Sequence, residues 1–183
     1  MRIIGILPAQ AASYNNLRFL GFPFSVSETF QQRNTNKSIQ EALQSVEEIQ
    51  NLAEVKGKTL VTYLSMGFGN PYGDPFSPDM IAGFVKQLDD LGVKIISFAD
   101  TVGTASPELI KELFEVNIQA YPKIEFGAHL HSRPDDLEPK IKAAMKAGCQ
   151  RFDGALKGYG GCPMAKDDLT GNLATEQLVA VLE

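Results

Sequence analysis

The sequence predicts an α/β fold built on a parallel sheet. Short apolar runs alternate with amphipathic stretches five times over, and a glycine punctuates most of the returns, which is the pattern of repeated βαβ units. Such alternation closes either as a barrel or as an open doubly wound sheet. Periodicity does not choose between them, and no glycine-rich dinucleotide fingerprint follows an early strand to favour the second. In both architectures functional side chains gather at the carboxyl ends of the strands. No linker or low-complexity stretch divides the 183 residues, so residues 1–183 read as a single domain.

Taken in order, the first apolar run is Arg2–Leu7, followed by a connection from Pro8 to Leu17 that is short for a barrel helix, and then by a strand at Arg18–Phe24. Ser38 with Glu41 three residues on makes a capping box, and Ile39, Leu43, Val46 and Ile49 recur at helical spacing before Gly57. A strand at Thr59–Met66 leads to Ser77-Pro78, a cap and a first-turn proline, ahead of Ile81, Phe84, Val85 and Leu88, and Gly92 closes that helix. The third repeat runs from a strand at Val93–Ala99 to the same device at Ser106-Pro107. The fourth pairs a strand at Ile124–His131 with a helix reaching Gly148, and the fifth pairs Arg151–Leu156 with a helix opening at Thr175.

Composition narrows the function. A net charge of -5 offers no basic stripe for a phosphate backbone, so nucleic acid is not an expected partner. No apolar run approaches the roughly 20 residues of a membrane helix. Two cysteines, Cys149 and Cys162, make no disulfide framework, and no charged leader opens the chain, so the expected setting is the reducing cytoplasm.

The richest stretch is Ile124-Glu-Phe-Gly-Ala-His129-Leu-His131. Alternate strand positions share a face, so these two histidines, the only two in the chain, stand about 6.6 Å apart and reach one ion together, unless both are simply solvated at a strand end. Gly158-Tyr-Gly160-Gly161-Cys162-Pro-Met-Ala165 forms a flexible loop presenting a thiol that is either reactive or inert, while Cys149 reads as a small buried hydrophobe. Asp100 closes a strand before Thr101-Val-Gly103 and is either a base or a turn former. Glu28 follows an earlier strand, and Tyr63 and Ser65 share a face near the end of the next. Solvation explains the first equally well, and packing the tyrosine.

Together, His129-Leu-His131, Asp100-Thr-Val-Gly103 and the Gly160-Gly161-Cys162-Pro loop resemble the 3-hydroxy-3-methylglutaryl-CoA lyases, within a wider group of metal-dependent aldolase, lyase and Claisen-type synthase barrels. The histidine pair is common to the group, whereas the Gly-Gly-Cys-Pro loop marks the lyases. The resemblance implies a (β/α)8 TIM barrel and cleavage of 3-hydroxy-3-methylglutaryl-CoA to acetoacetate and acetyl-CoA. It implies His129, His131 and Asn172 as ligands of Mg²⁺ or Mn²⁺, Cys162 and Asp100 in proton transfer, and Glu28, Tyr63, Ser65, Gly160 and Gly161 lining the substrate site. An acyl-CoA is the expected substrate, with a homodimer among the admissible assemblies.

The family's first strand ends in an Arg-Asp pair, the Asp a metal ligand, and an acidic residue follows its second strand. Neither has a counterpart here, and the chain is expected to begin at the third strand, leaving the barrel incomplete. The run from Cys162 to Asn172 is one residue longer than the family's common spacing. The expectation is weak metal binding and little turnover from this chain alone. Two other readings stand beside the lyase: a related aldolase or acyl-CoA-using synthase, and a non-catalytic remnant.

Overall fold

A computed structural model describes residues 8–133, 135–161 and 170–183. The expected strand at Arg2–Leu7 lies outside them. A short helix, α1 (Pro8–Ser13), precedes β1 (Phe19–Ser25), and a second short helix, α2 (Glu28–Thr35), follows it before α3 (Ile39–Val55). The chain continues as β2 (Thr59–Ser65), α4 (Pro78–Asp90), β3 (Ile95–Asp100), α5 (Pro107–Ala120), β4 (Glu125–Ser132), α6 (Leu137–Lys146) and β5 (Arg151–Phe152). Strands β1 to β5 lie side by side in sequence order and every neighbouring pair is parallel.

The caps read from sequence form. Ser38 and Glu41 complete the reciprocal capping box of α3, and the Ser77 and Ser106 hydroxyls accept from Met80 N and Leu109 N, each ahead of a first-turn proline. Helix α2 was not anticipated. Ser27 caps it through Phe30 N, and Asp74 from the β2–α4 loop accepts hydrogen bonds from the Ser27 hydroxyl, Thr29 N at 2.9 Å and Thr29 Oγ1 at 2.9 Å.

One face of the sheet is packed under the helices. Leu60 and Leu64 of β2, Ile96 and Phe98 of β3, and Phe126, Ala128 and Leu130 of β4 are buried together with Val46 of α3, Val85 of α4, Phe114 of α5 and Ile141 of α6. Phe98 anchors this layer, its ring edge-on to Phe114 at 5.1 Å and stacked on Phe126 at 5.4 Å. Each such side chain contributes roughly 1.5–3 kcal/mol relative to leaving it exposed.

The opposite face carries polar groups. Register aligns Tyr63, Ser97, Gly127 and Arg151 in one row, and Ala99 with His129 in the next. A Cβ on Gly127 would lie 2.6 Å from Ser97 Oγ and 2.9 Å from Arg151 Cδ, so the absent side chain is what lets the arginine stem cross the sheet there.

The fifth strand is shorter than expected. Its last bond to β4 is Asp153 N to Ala128 O at 3.0 Å, after which the chain turns away. Ala155 N donates to Leu173 O and Ala155 O accepts from Thr175 N, and a 3-10 turn at Leu156–Gly158 replaces the remainder of the run. The returning segment adds an antiparallel strand, β6 (Gly171–Asn172), to the end of β4 and then enters α7 (Thr175–Leu182). Backbone groups beyond Asp153 thus find partners in the return segment instead of the sheet.

Candidate active site

His129 and His131 project from the last turns of β4 on the polar face, with ring centroids 5.4 Å apart at 61°. His131 is buried, and its Nδ1 lies 2.9 Å from the carbonyl oxygen of Thr101. A carbonyl only accepts, so Nδ1 carries the proton and the Nε2 lone pair is left available. Burial above all, and then the neighbouring His129, push this imidazole down to about 4, which keeps it in the neutral form that binds metal.

Strand β6 brings in the third expected group. His131 pairs with Asn172 across the antiparallel ladder, and the Asn172 side chain is within hydrogen-bonding reach of the His131 ring. The Asn172 amide donates to Tyr159 O at 2.9 Å, and a Cβ on Gly160 would lie 3.1 Å from that amide nitrogen. Gly160 therefore runs directly beside Asn172 and Gly161 against Thr170 and Gly171, both glycines exposed. Cys162 lies outside the described residues.

Tyr63 stands edge-on to His129 with centroids 5.3 Å apart. Burial first, and then the charge of Asp153, raise its phenol pKa above the ordinary value. Ser65 ends the same strand, buried, two residues further toward the carboxyl end. Glu28 is turned elsewhere. It is exposed, and its two carboxylate oxygens accept from Ile39 N at 3.0 Å and Gln32 Nε2 at 3.4 Å, so it ties α2 to the start of α3. These bonds give it a structural role at the α2–α3 junction.

Asp100 lies at the end of β3, as its position in the sequence suggested. It pairs in register with Leu130, on the face packed under the helices, and only 1% of it is exposed. Oδ1 accepts from Thr104 N at 2.9 Å, and Oδ2 accepts from Ala105 N at 3.0 Å and from Lys140 Nζ at 3.2 Å. Burial pushes this carboxyl upward, while the Lys140 ammonium and the two amides pull it back. These are the contacts of a turn former, one of the two readings its position in the sequence allowed. Lys140, itself 3% exposed, also donates to Gly103 O and His131 O, so the ion pair fastens the end of β4 to the β3–α5 turn.

Three residues at the site escaped sequence reasoning: Lys140, Arg151 and Asp153. Asp153 follows β5 at the level of His129, with its Oδ2 at 3.5 Å from His129 Nδ1. Both atoms are closed to solvent, and among the described residues neither forms a hydrogen bond. One row deeper, Arg151 pairs with Glu125 at 3.2 Å and lies over the Phe19 ring. Asp153 fell inside the expected strand at Arg151–Leu156, so the strand-end signal that marked Asp100 was not visible for it until β5 was seen to end at Phe152. Register separates the two.

Among the described residues, no three His, Cys, Asp or Glu side chains come close enough to hold an ion. The candidate donors are instead two imidazoles and an amide. Their chemistry fits a divalent ion, because neutral imidazole and amide donors suit such ions and the bond to Thr101 O fixes the His131 proton on Nδ1.

Residues 5–183 match the HMGL-like family. The chain belongs to that family. It is 32% identical to the cytoplasmic 3-hydroxy-3-methylglutaryl-CoA lyase of Danio rerio over 98% of its own length and 52% of the relative's, and 33% identical to the mitochondrial hydroxymethylglutaryl-CoA lyase of Bos taurus over 97% and 54%. Among solved structures it superposes on the Bacillus subtilis HMG-CoA lyase with a TM-score of 0.83 at 30% identity, covering 90% of this chain and 55% of that one. An Acinetobacter baumannii HMG-CoA lyase in complex with coenzyme A and 3-methylmalate also gives 0.83, at 27% identity, with 94% and 55% covered. The chain thus spans about half the length of the curated relatives it matches. Among the described residues no helix is long and apolar enough to cross a membrane.

Proposed function

We propose that this chain supplies the imidazole half of the active site in a divalent-metal-dependent carbon–carbon lyase that cleaves 3-hydroxy-3-methylglutaryl-CoA to acetoacetate and acetyl-CoA. One observation carries the reading: His129, His131 and Asn172, from two segments paired only in the fold, converge at the carboxyl end of β4. In this reading β1 to β5 are consecutive strands of a (β/α)8 barrel, and the polar face bearing Tyr63, Arg151 and His129 looks into its interior.

His129, His131 and Asn172 would hold Mg²⁺ or Mn²⁺. When bound, such an ion acts as a Lewis acid toward the hydroxyl and carboxylate oxygens of the substrate. The surrounding residues do the rest. His131, held by Thr101 O, keeps its ring fixed and neutral. Tyr63 and Ser65 line the approach from β2, and Gly160 and Gly161 let the backbone beside Asn172 come close to a bulky acyl chain. Cys162, at the end of that glycine run, is the proposed acid or base at the departing carbon. The complex of the Acinetobacter baumannii relative with coenzyme A supports an acyl-CoA as the substrate class. The cytoplasmic Danio rerio relative supports a cytoplasmic setting, although other relatives are mitochondrial.

The test is cleavage of 3-hydroxy-3-methylglutaryl-CoA in the presence of Mg²⁺ or Mn²⁺, by this chain and by a version extended to the full length of its relatives. Acetoacetate release by the extended protein, abolished by His131→Ala, is the expected result. Release unaffected by His131→Ala removes the reading.

A further inference from the structure

The two imidazoles are supported unequally. His131 Nδ1 has a fixed acceptor at 2.9 Å in Thr101 O, whereas His129 Nδ1 has none, although it is closed to solvent. Asp153 Oδ2 is 3.5 Å away, equally shut from water and, among the described residues, equally without a hydrogen bond. A buried donor and a buried acceptor left apart each cost about 1–3 kcal/mol, and a side-chain rotation that brings them together removes both costs. Asp153 is well placed to make that movement. Its backbone is pinned by the bond to Ala128 O, and it sits just before the chain leaves the sheet.

We infer that Asp153 is a positioning residue for His129: its carboxylate accepts the Nδ1 proton and thereby turns Nε2 of that ring toward the same point that His131 Nε2 faces. The inference rests on the metal reading above and extends it. A ring held by a carboxylate is fixed in tautomer and orientation and is more basic at its free nitrogen, so the pair is matched before an ion arrives. His131 is held by a neutral carbonyl and His129 by a charge, which makes His129 the stronger donor of the two.

Because the chain has only two histidines, long-range ¹H–¹⁵N correlation spectra of the full metal-free chain resolve both tautomers, with His131→Gln assigning the signals. Neutral imidazole in water prefers the proton on Nε2. The expected result is Nδ1–H at both rings, with Asp153→Ala moving His129 alone to Nε2–H and Asp153→Asn, which keeps an acceptor oxygen, restoring Nδ1–H. Mn²⁺ should bind Asp153→Ala 10- to 100-fold more weakly, the usual loss for an outer partner of a ligating histidine. Nε2–H at His129 in the unaltered chain overturns the inference even if the variants fail to fold. So does a His129 tautomer indifferent to Asp153→Ala, or Mn²⁺ bound equally by the two proteins or by neither. None of these measurements involves substrate, so failure of the lyase reading would appear only in the cleavage assay.

Discussion

Asp100 ends β3 and Asp153 follows β5, the two strands that flank β4, yet they are opposite kinds of carboxylate. Asp100 lies under the helices with both oxygens occupied by two backbone amides and the Lys140 ammonium. Asp153 lies on the polar face with one oxygen sealed from water and unbonded beside His129. A buried carboxylate that already accepts three fixed donors has little capacity left for a substrate or a ring proton, while one with an open acceptor beside a candidate ligand has more. The difference teaches that a carboxylate at a strand's end is not in itself a catalytic signal. Which face it occupies, and what already bonds it, decide.

The contrast breaks most directly at Lys140. Lys140→Met leaves Asp100 charged and without its counter-ion at a buried site, and the expected loss is about 3–5 kcal/mol in urea unfolding. Asp153→Asn should cost less than about 1 kcal/mol, because it removes a charge that has no bonded partner at that oxygen. Comparable losses from the two substitutions would erase the distinction.

A smaller effect is expected within the Asp100 turn. Gly103 has φ +74, and a Cβ there would lie 2.5 Å from Thr170 Cγ2. Gly103→Ala combines a left-handed residue with a clash, so thermal unfolding should report a loss of about 2 kcal/mol. Since Thr170 adjoins β6, the same substitution should also loosen Asn172, seen as faster amide exchange at residues 171–172 than at residues 127–129. Equal exchange at both would show that the turn does not support the third candidate ligand.

The smallest effect belongs beneath Asp153. Burial, foremost, pushes the Cys149 thiol up to about 12, so almost none is thiolate at pH 8. Iodoacetamide should leave Cys149 untouched in the folded chain over hours and modify it only in denaturant, while Cys162 reacts in the native protein. Substrate bound to the extended protein should then slow the reaction at Cys162. Native modification of Cys149 at a rate like that of Cys162 would remove the thiol from the site argument.

The sequence by itself determined the repeat of strand and helix. Serine caps, first-turn prolines and apolar spacing are local signals, and Ser38, Ser77 and Ser106 act in the fold as they read in the chain. It also determined the histidine pair, because two residues apart on one strand means one face in any sheet. Only the tertiary structure decided the rest. Asn172 meets His131 through an antiparallel ladder between segments 41 positions apart in the chain, a pairing no local pattern encodes. Asp153 was overlooked, and Asp100 left with two readings, for one physical reason. A strand's face at its last residue depends on register with its neighbours and on where the backbone turns away, and those follow from packing against Lys140, Leu173 and Thr170, which the sequence brings near only once it has folded.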